Sequence, residues 1–273
     1  MVQKLKRGII LVLTSLACFY VGLMVVLSFL ENSMVYFPAP WTAFDDLAPE
    51  DTLKDHFFTN ADGNKLHALV HKTENAKGHL LYLHGNAGHI GHRAEILRHL
   101  ATSHQFTVMG VDYRGYGKSE GQPSEEGLYQ DGEAALLEFT KISNIKKEDI
   151  VILGRSLGGG VASHLAKHHQ PKALVLESTF TTMPDVAQTI YPFLPVKLLM
   201  QNKYPSIDNI KAYQGPVLIS HGDQDEIVPY ALGQQLFEAA NDPKKFVTIR
   251  GGGHNDAYSS DYARALQEFL RAL

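Results

Sequence analysis

The sequence predicts an α/β protein: a mostly parallel sheet with helices on both faces, a short lid insertion, and one N-terminal transmembrane helix ahead of it. Three observations predict this. From position 53 to the C-terminus, short apolar runs alternate with longer helix-compatible stretches. The runs show little polar alternation, which marks strands covered on both faces. Ahead of them, positions 8–30 carry no charged residue.

The apolar stretch "GIILVLTSLACFYVGLMVVLSFL" (8–30) is long enough to cross a bilayer, which takes roughly 20 apolar residues. Lys4, Lys6 and Arg7 precede it, and Glu31, Asp45, Asp46, Glu50 and Asp51 follow with no cation before Lys54. The positive-inside bias then places the N-terminus in the cytoplasm and the body of the protein on the other side. A cleaved signal peptide has a shorter apolar region and a small-residue cleavage site, which this stretch lacks. Lipidation at Cys18 is the other alternative, but the residues after "TSLAC" stay apolar. The expected organisation is an anchor over 1–30, a juxtamembrane linker over 31–53 and a catalytic domain over 54–273. Met34, Tyr36, Phe37 and Trp41 of the linker suit either the membrane interface or packing on that domain.

Within the domain, strands are expected at 65–71, 79–85, 106–113, 149–156, 172–178, 216–222 and 245–251. Helices are expected at 94–100, 124–142, 157–168, 230–240 and 259–273. The last has Tyr262, Ala265, Leu266, Phe269 and Leu270 at helical spacing. Residues 179–213 break the alternation: they are apolar, hold four prolines and show no clear strand. They read as an insertion over the sheet, a lid or pocket wall, with ordinary surface helices as the alternative.

Composition bounds the function. The chain has 273 residues, 44% of them hydrophobic, with a formal charge of -4. That suits one well-buried core, and no basic block suggests a nucleic-acid surface. Cys18 is the single cysteine, so no intrachain disulfide forms.

The chemistry gathers where such sheets keep it, beyond the carboxyl ends of strands. "VILGRSLGGG" sets Ser156 between Gly154 and Gly158, after an apolar run and before a helical one. That is the pattern of a nucleophile held on a sharp strand-to-helix turn. A serine needs a base and an orienting acid. His254, in the glycine-rich loop before the final helix, is the candidate base. Asp223, Asp225 and Glu226 all lie between serine and histidine, so chain order alone leaves the acid open. "LLYLHGNAGH" ends an early strand, and the backbone N–H groups of Asn86 and Leu157 are the expected oxyanion donors.

With "HGNAGH" (84–89), "DYRGYGKSEG" (112–121), "GRSLGGG" (154–160), "HGDQDEIVP" (221–229) and "GGGHND" (251–256) in this order, the chain from about position 53 onward resembles an α/β-hydrolase of the Bem46-like group. That group includes the types known as α/β-hydrolase domain-containing proteins 13 and 17. The resemblance implies the α/β-hydrolase fold, the acid at Asp225, the base at His254, and serine hydrolysis of an ester or thioester. The type 17 proteins carry a cysteine-rich, lipidated N-terminus. This chain has an apolar helix there, so protein depalmitoylation is not carried over, and the anchored type 13 arrangement is nearer. The alternatives are a serine aminopeptidase-like peptidase and a catalytically silent membrane-bound binding protein.

Two signals are discounted. "DYRGYGKSEG" contains Gly-Lys-Ser, but Asp112 stands where a phosphate-binding loop needs glycine. His89 and His92 have metal-like spacing, and His168 and His169 are adjacent, but no carboxylate or cysteine in the sequence completes either set. The expectation is a membrane-anchored serine hydrolase acting on acyl substrates without metal or cofactor.

Overall fold

The computed structural model describes residues 2–48, 50–256 and 259–273. An eight-stranded sheet forms its centre: β1 Leu53–Thr59, β2 Lys65–His71, β3 Gly78–Leu83, β4 Phe106–Asp112, β5 Ile150–Arg155, β6 Ala173–Glu177, β7 Val217–Gly222 and β8 Lys244–Ile249. Their order across the sheet is β8-β7-β6-β5-β3-β4-β2-β1. β2 runs antiparallel to β1 and β4, and the other pairings are parallel.

Helices cover both faces. α3 Glu125–Ser143, α4 Leu157–His169, α7 Ser206–Ala212 and α8 Tyr230–Ala239 close one core, with Phe139, Leu165, Ile210 and Leu236 buried. α2 Ala94–His104 and α9 Ser260–Arg271 close the other, where Leu97 and Leu266 meet Leu80, Leu153 and Val175 of the sheet. Local chemistry sets the ends. Ser124 and Ser259 accept the N–H of Gly127 and Tyr262, satisfying donors that a helix start leaves free. Gln105, Asn144 and Gln170 close α2, α3 and α4 in the left-handed conformation.

The seven strands expected from the sequence form, within one or two residues at their ends. β1 is an addition. It is an edge strand in which only Leu53 and Phe58 are buried, so "LKDHFFT" carries no apolar run. Residues 179–213 contain α5 Met183–Ile190, α6 Val196–Leu199 and α7, and no strand. α7 packs on α4 and α8, so only α5 and α6 overhang the sheet.

α1 Val2–Val35 is one continuous 34-residue helix. Its mean hydropathy reaches 2.6, and only 6% of that apolar window is buried in the protein. At 1.5 Å per residue it spans about 51 Å, beyond the roughly 30 Å of bilayer hydrocarbon. Its C-terminal turns pack on the domain from within the apolar stretch onward: Met24, Glu31 and Val35 are buried. The stretch expected as a linker thus begins as helix. It continues as packed chain, with Tyr36 buried and Phe37–Pro38 paired to Ala87–Gly88.

Candidate active site

Ser156 joins β5 to α4 with φ 51° and ψ −119°, a conformation that side-chain-bearing residues rarely adopt. The turn is held from several sides: the Ser156 N–H donates to the Glu177 carbonyl at 2.8 Å, and Thr179 Oγ1 donates to the Ser156 carbonyl at 2.8 Å. The glycines either side of Ser156 are dictated by space. A Cβ on Gly154 would lie 2.4 Å from the Gly158 carbonyl oxygen, and one on Gly158 would lie 2.1 Å from that of Leu83.

His254 follows β8 and comes back over this turn. Its Nε2 lies 3.0 Å from Ser156 Oγ, and its Nδ1 lies 2.8 Å from Asp225 Oδ2. Asp225 follows β7, and its side chain is fully buried. Its Oδ1 accepts the N–H groups of Ile227 and Val228 at 2.9 and 2.8 Å. His221 Nε2 lies 3.2 Å from Oδ2. Burial raises the Asp225 pKa, but the hydrogen bonds from His221, His254 and Val228 outweigh it and hold the carboxyl well below its ordinary value. Asp225 is therefore ionised and aimed at the ring. The two other acids of the loop face elsewhere: Asp223 accepts the Gly251 N–H at 2.7 Å, and Glu226 is exposed.

The loop after β3 passes against the serine, where a Cβ on Gly85 would lie 3.4 Å from Ser156 Cβ. Asn86 Oδ1 accepts from the Phe37 N–H and the Tyr116 hydroxyl at 3.2 and 3.3 Å. Leu157 opens α4, so its N–H has no partner within the helix.

Asp112 holds this loop from beneath. It is fully buried, accepts the Ile90 N–H at 2.6 Å and faces His67 at 2.9 Å and His84 at 3.5 Å. Burial raises its pKa, but hydrogen bonds from His67 and His84 more than offset this and bring it to about 2. Gly117, at φ 53°, makes room: a Cβ there would lie 2.2 Å from Asp112 Oδ2. Tyr113 Oη donates to the His84 carbonyl at 3.1 Å. The "DYRGYGKSEG" segment is thus a brace for the loop after β3. Sequence reasoning missed this brace and the His221 contact, although both motifs were in view, because the partners are far apart in the chain.

The cluster Asp45, His89 and His92 brings a carboxylate to the histidine pair, with ligand atoms within 4.8 Å of one another. The donor set does not suit a metal ion. His89 Nδ1 accepts the Gly91 N–H at 3.1 Å, which puts the neutral ring's proton on Nε2, the atom facing Asp45.

A cavity of about 700 Å³ opens at Ser156 and His254. One part of its lining, the apolar arm, comes from α1 (Met24, Leu27, Met34) and the overhang (Met183, Ile190, Leu199). The other lies beside α2, with Arg93, Ile96 and Arg155. α1 is clasped to the overhang by Glu31, whose carboxylate accepts the N–H groups of Gln201 and Asn202 at 2.9 and 2.7 Å and the Asn202 side-chain amide at 2.8 Å. Tyr20 Oη donates to the Phe193 carbonyl at 3.0 Å.

The sequence pattern of the family described as serine aminopeptidase, S33, matches residues 74–208. An uncharacterised protein of Mycobacterium tuberculosis is 37% identical over 233 residues, covering 83% of this chain and 81% of that protein. Human α/β-hydrolase domain-containing protein 17B is 32% identical over 228 residues, covering 81% and 76%. Among solved structures, an esterase of Pyrococcus furiosus superposes with a TM-score of 0.71 at 17% identity, covering 87% of this chain and 98% of its own.

Proposed function

Since the chain belongs to the α/β-hydrolase family, we propose that it is a membrane-anchored serine hydrolase that cleaves ester or thioester bonds of acyl substrates. The observation that carries this reading is the chain of contacts from Asp225 through His254 to Ser156, 2.8 and 3.0 Å long, at the head of an apolar cavity. In this reading His254 Nε2 takes the Ser156 proton as Oγ attacks the carbonyl carbon. Asp225 fixes the tautomer with the proton on Nδ1 and stabilises the imidazolium. The N–H groups of Asn86 and Leu157 receive the developing oxyanion. His254 then protonates the leaving group, and water activated by the same ring releases the acyl group from Ser156.

The anchor is α1, with residues 1–30 as membrane segment, 54–273 as catalytic domain and the α5–α6 overhang within 179–213 as lid. Lys4, Lys6 and Arg7 against the acidic residues after the helix support a cytoplasmic N-terminus and a catalytic domain on the far side. The family description raises the peptidase alternative. An aminopeptidase needs an anion for the substrate's free amino terminus. Among the described residues, Glu31 is the carboxylate lining the cavity, and backbone N–H groups occupy it.

The test is fluorophosphonate labelling followed by a panel of p-nitrophenyl esters, thioesters and aminoacyl amides, with wild type beside Ser156→Ala. Labelling and ester turnover are expected in wild type, with turnover falling at least about 10³-fold in the variant. Failure of wild type to label, or aminoacyl amides as the preferred substrates, overturns the reading.

A further inference from the structure

The arm beside α2 has a chemistry that ester cleavage alone does not require. Arg93 and Arg155 both line it, half-buried, and no carboxylate lies within ion-pair distance of either among the described residues. Their hydrogen bonds go to neutral oxygens. Arg93 donates to the Ala87 carbonyl at 2.8 Å, and Arg155 donates to the His254 carbonyl and Asn255 Oδ1, both at 3.3 Å. These contacts tie Arg93 to the loop after β3 and Arg155 to the loop that carries His254.

The two cations feel each other. Burial lowers the Arg93 pKa, and Arg155 adds to the lowering, whereas Tyr82 and Asp112 oppose it. Glu177 is the register partner of Arg155 on β6. It is fully buried, and burial pushes its pKa up against the pull of Arg155 and of the Tyr262 hydroxyl. Two guanidinium groups that line one cavity, neither in an ion pair among the described residues, make a positive site. Guanidinium presents a planar fork of donors matched to phosphate and carboxylate oxygens.

The opposite arm is lined by aliphatic and methionine side chains from α1 and the lid. Ser156 lines the same cavity as these apolar side chains and the two arginines, so a fitting substrate joins an apolar part to an anionic part. We propose that the α2 arm binds a phosphate carried on the alcohol side of the ester, which makes the substrate class long-chain acyl esters of phosphorylated alcohols. The inference deepens the serine-hydrolase reading and rests on it for the cleavage step. The phosphate itself is recognised by Arg93 and Arg155 whether or not the bond is cut.

The experiment therefore measures binding and turnover separately, on the full chain in detergent micelles. Binding to Ser156→Ala protein is measured by equilibrium dialysis for 1-oleoylglycerol 3-phosphate, 1-oleoylglycerol and the water-soluble 1-acetylglycerol 3-phosphate. Wild-type turnover is measured on the same three. The phosphorylated oleoyl ester is expected to bind at least tenfold tighter than the neutral one. In Arg93→Gln and Arg155→Gln proteins that retain a cooperative thermal melt, that ratio is expected to fall toward unity. Charge-retaining Arg155→Lys tests the same site should Arg155→Gln fail to melt cooperatively, and a partial ratio is expected from it. Equal binding of the phosphorylated and neutral oleoyl esters overturns the anion site. Tighter binding of the acetyl than of the oleoyl phosphate overturns the lipid assignment and leaves a soluble phosphorylated ester. Discrimination in binding without turnover of any ester leaves the anion site standing and defeats the hydrolase reading instead.

Discussion

At Gly158 an added Cβ would press on the Leu83 carbonyl at 2.1 Å, backbone that cannot swing aside. Gly158→Ala is therefore expected to push β3 from the elbow and lower ester turnover at least about 100-fold while the protein still melts cooperatively. Unchanged turnover would show that the elbow tolerates the shift. Asp112 gives a prediction in pH. Its carboxyl is held at about 2 against an ordinary value of 3.8. A depressed carboxylate contributes stability above its unfolded pKa and loses it as pH falls through the folded one. The window is therefore about pH 4 down to pH 2, worth on the order of 2 kcal/mol. Urea melts of Asp112→Asn against wild type should show the stability gap narrowing as pH falls from 5 toward 3, and a constant gap would count against this linkage. Ser156 and His254 were legible in the sequence because glycine spacing and chain order mark them. The three acids between them were not separable that way. The family resemblance singles out Asp225, and the fold brings it to the ring, while Asp223 caps the Gly251 turn.

Among the elements, strands covered on both faces were legible because burial on two sides leaves continuous apolar runs. β1 was not, since an edge strand with one buried residue at each end reads as polar chain. The end of α1 was illegible for another reason. Glu31 terminates the apolar run, yet it is buried, and the partners that make this tolerable lie 170 residues away. The last turns of α1 form a wall of the cavity, so under the proposed function side chains there should set acyl length. Leu27→Trp narrows the apolar arm and is expected to reduce the ratio of p-nitrophenyl palmitate to p-nitrophenyl butyrate turnover about tenfold or more. An unchanged ratio would remove Leu27 from the acyl path.

At the scale of the whole molecule, the Glu31 clasp joins α1 to the chain after α6, far away in sequence. Removing residues 1–35 takes away that wall together with the Glu31 carboxylate that the Gln201 and Asn202 N–H groups donate to. The remaining domain keeps both cores of the sheet apart from Val35. It is expected to keep a cooperative thermal melt and its turnover of p-nitrophenyl acetate within a few-fold. Its kcat/KM for long-chain esters is expected to fall at least tenfold. Equal losses on short and long esters would mean that the helix supports the fold and not the acyl arm.

Glu31 and Tyr20 have one more consequence. With α1 as the proposed anchor, they fasten a segment whose tilt is governed by lipid to the roof over Ser156. A helix answers a thinner bilayer by leaning. Because this one is pinned at both Phe193 and Asn202, leaning shears the roof. Reconstituted in vesicles of increasing acyl length, the protein should change its chain-length preference with the vesicle. Membrane thickness would then act on Ser156 as a mechanical input.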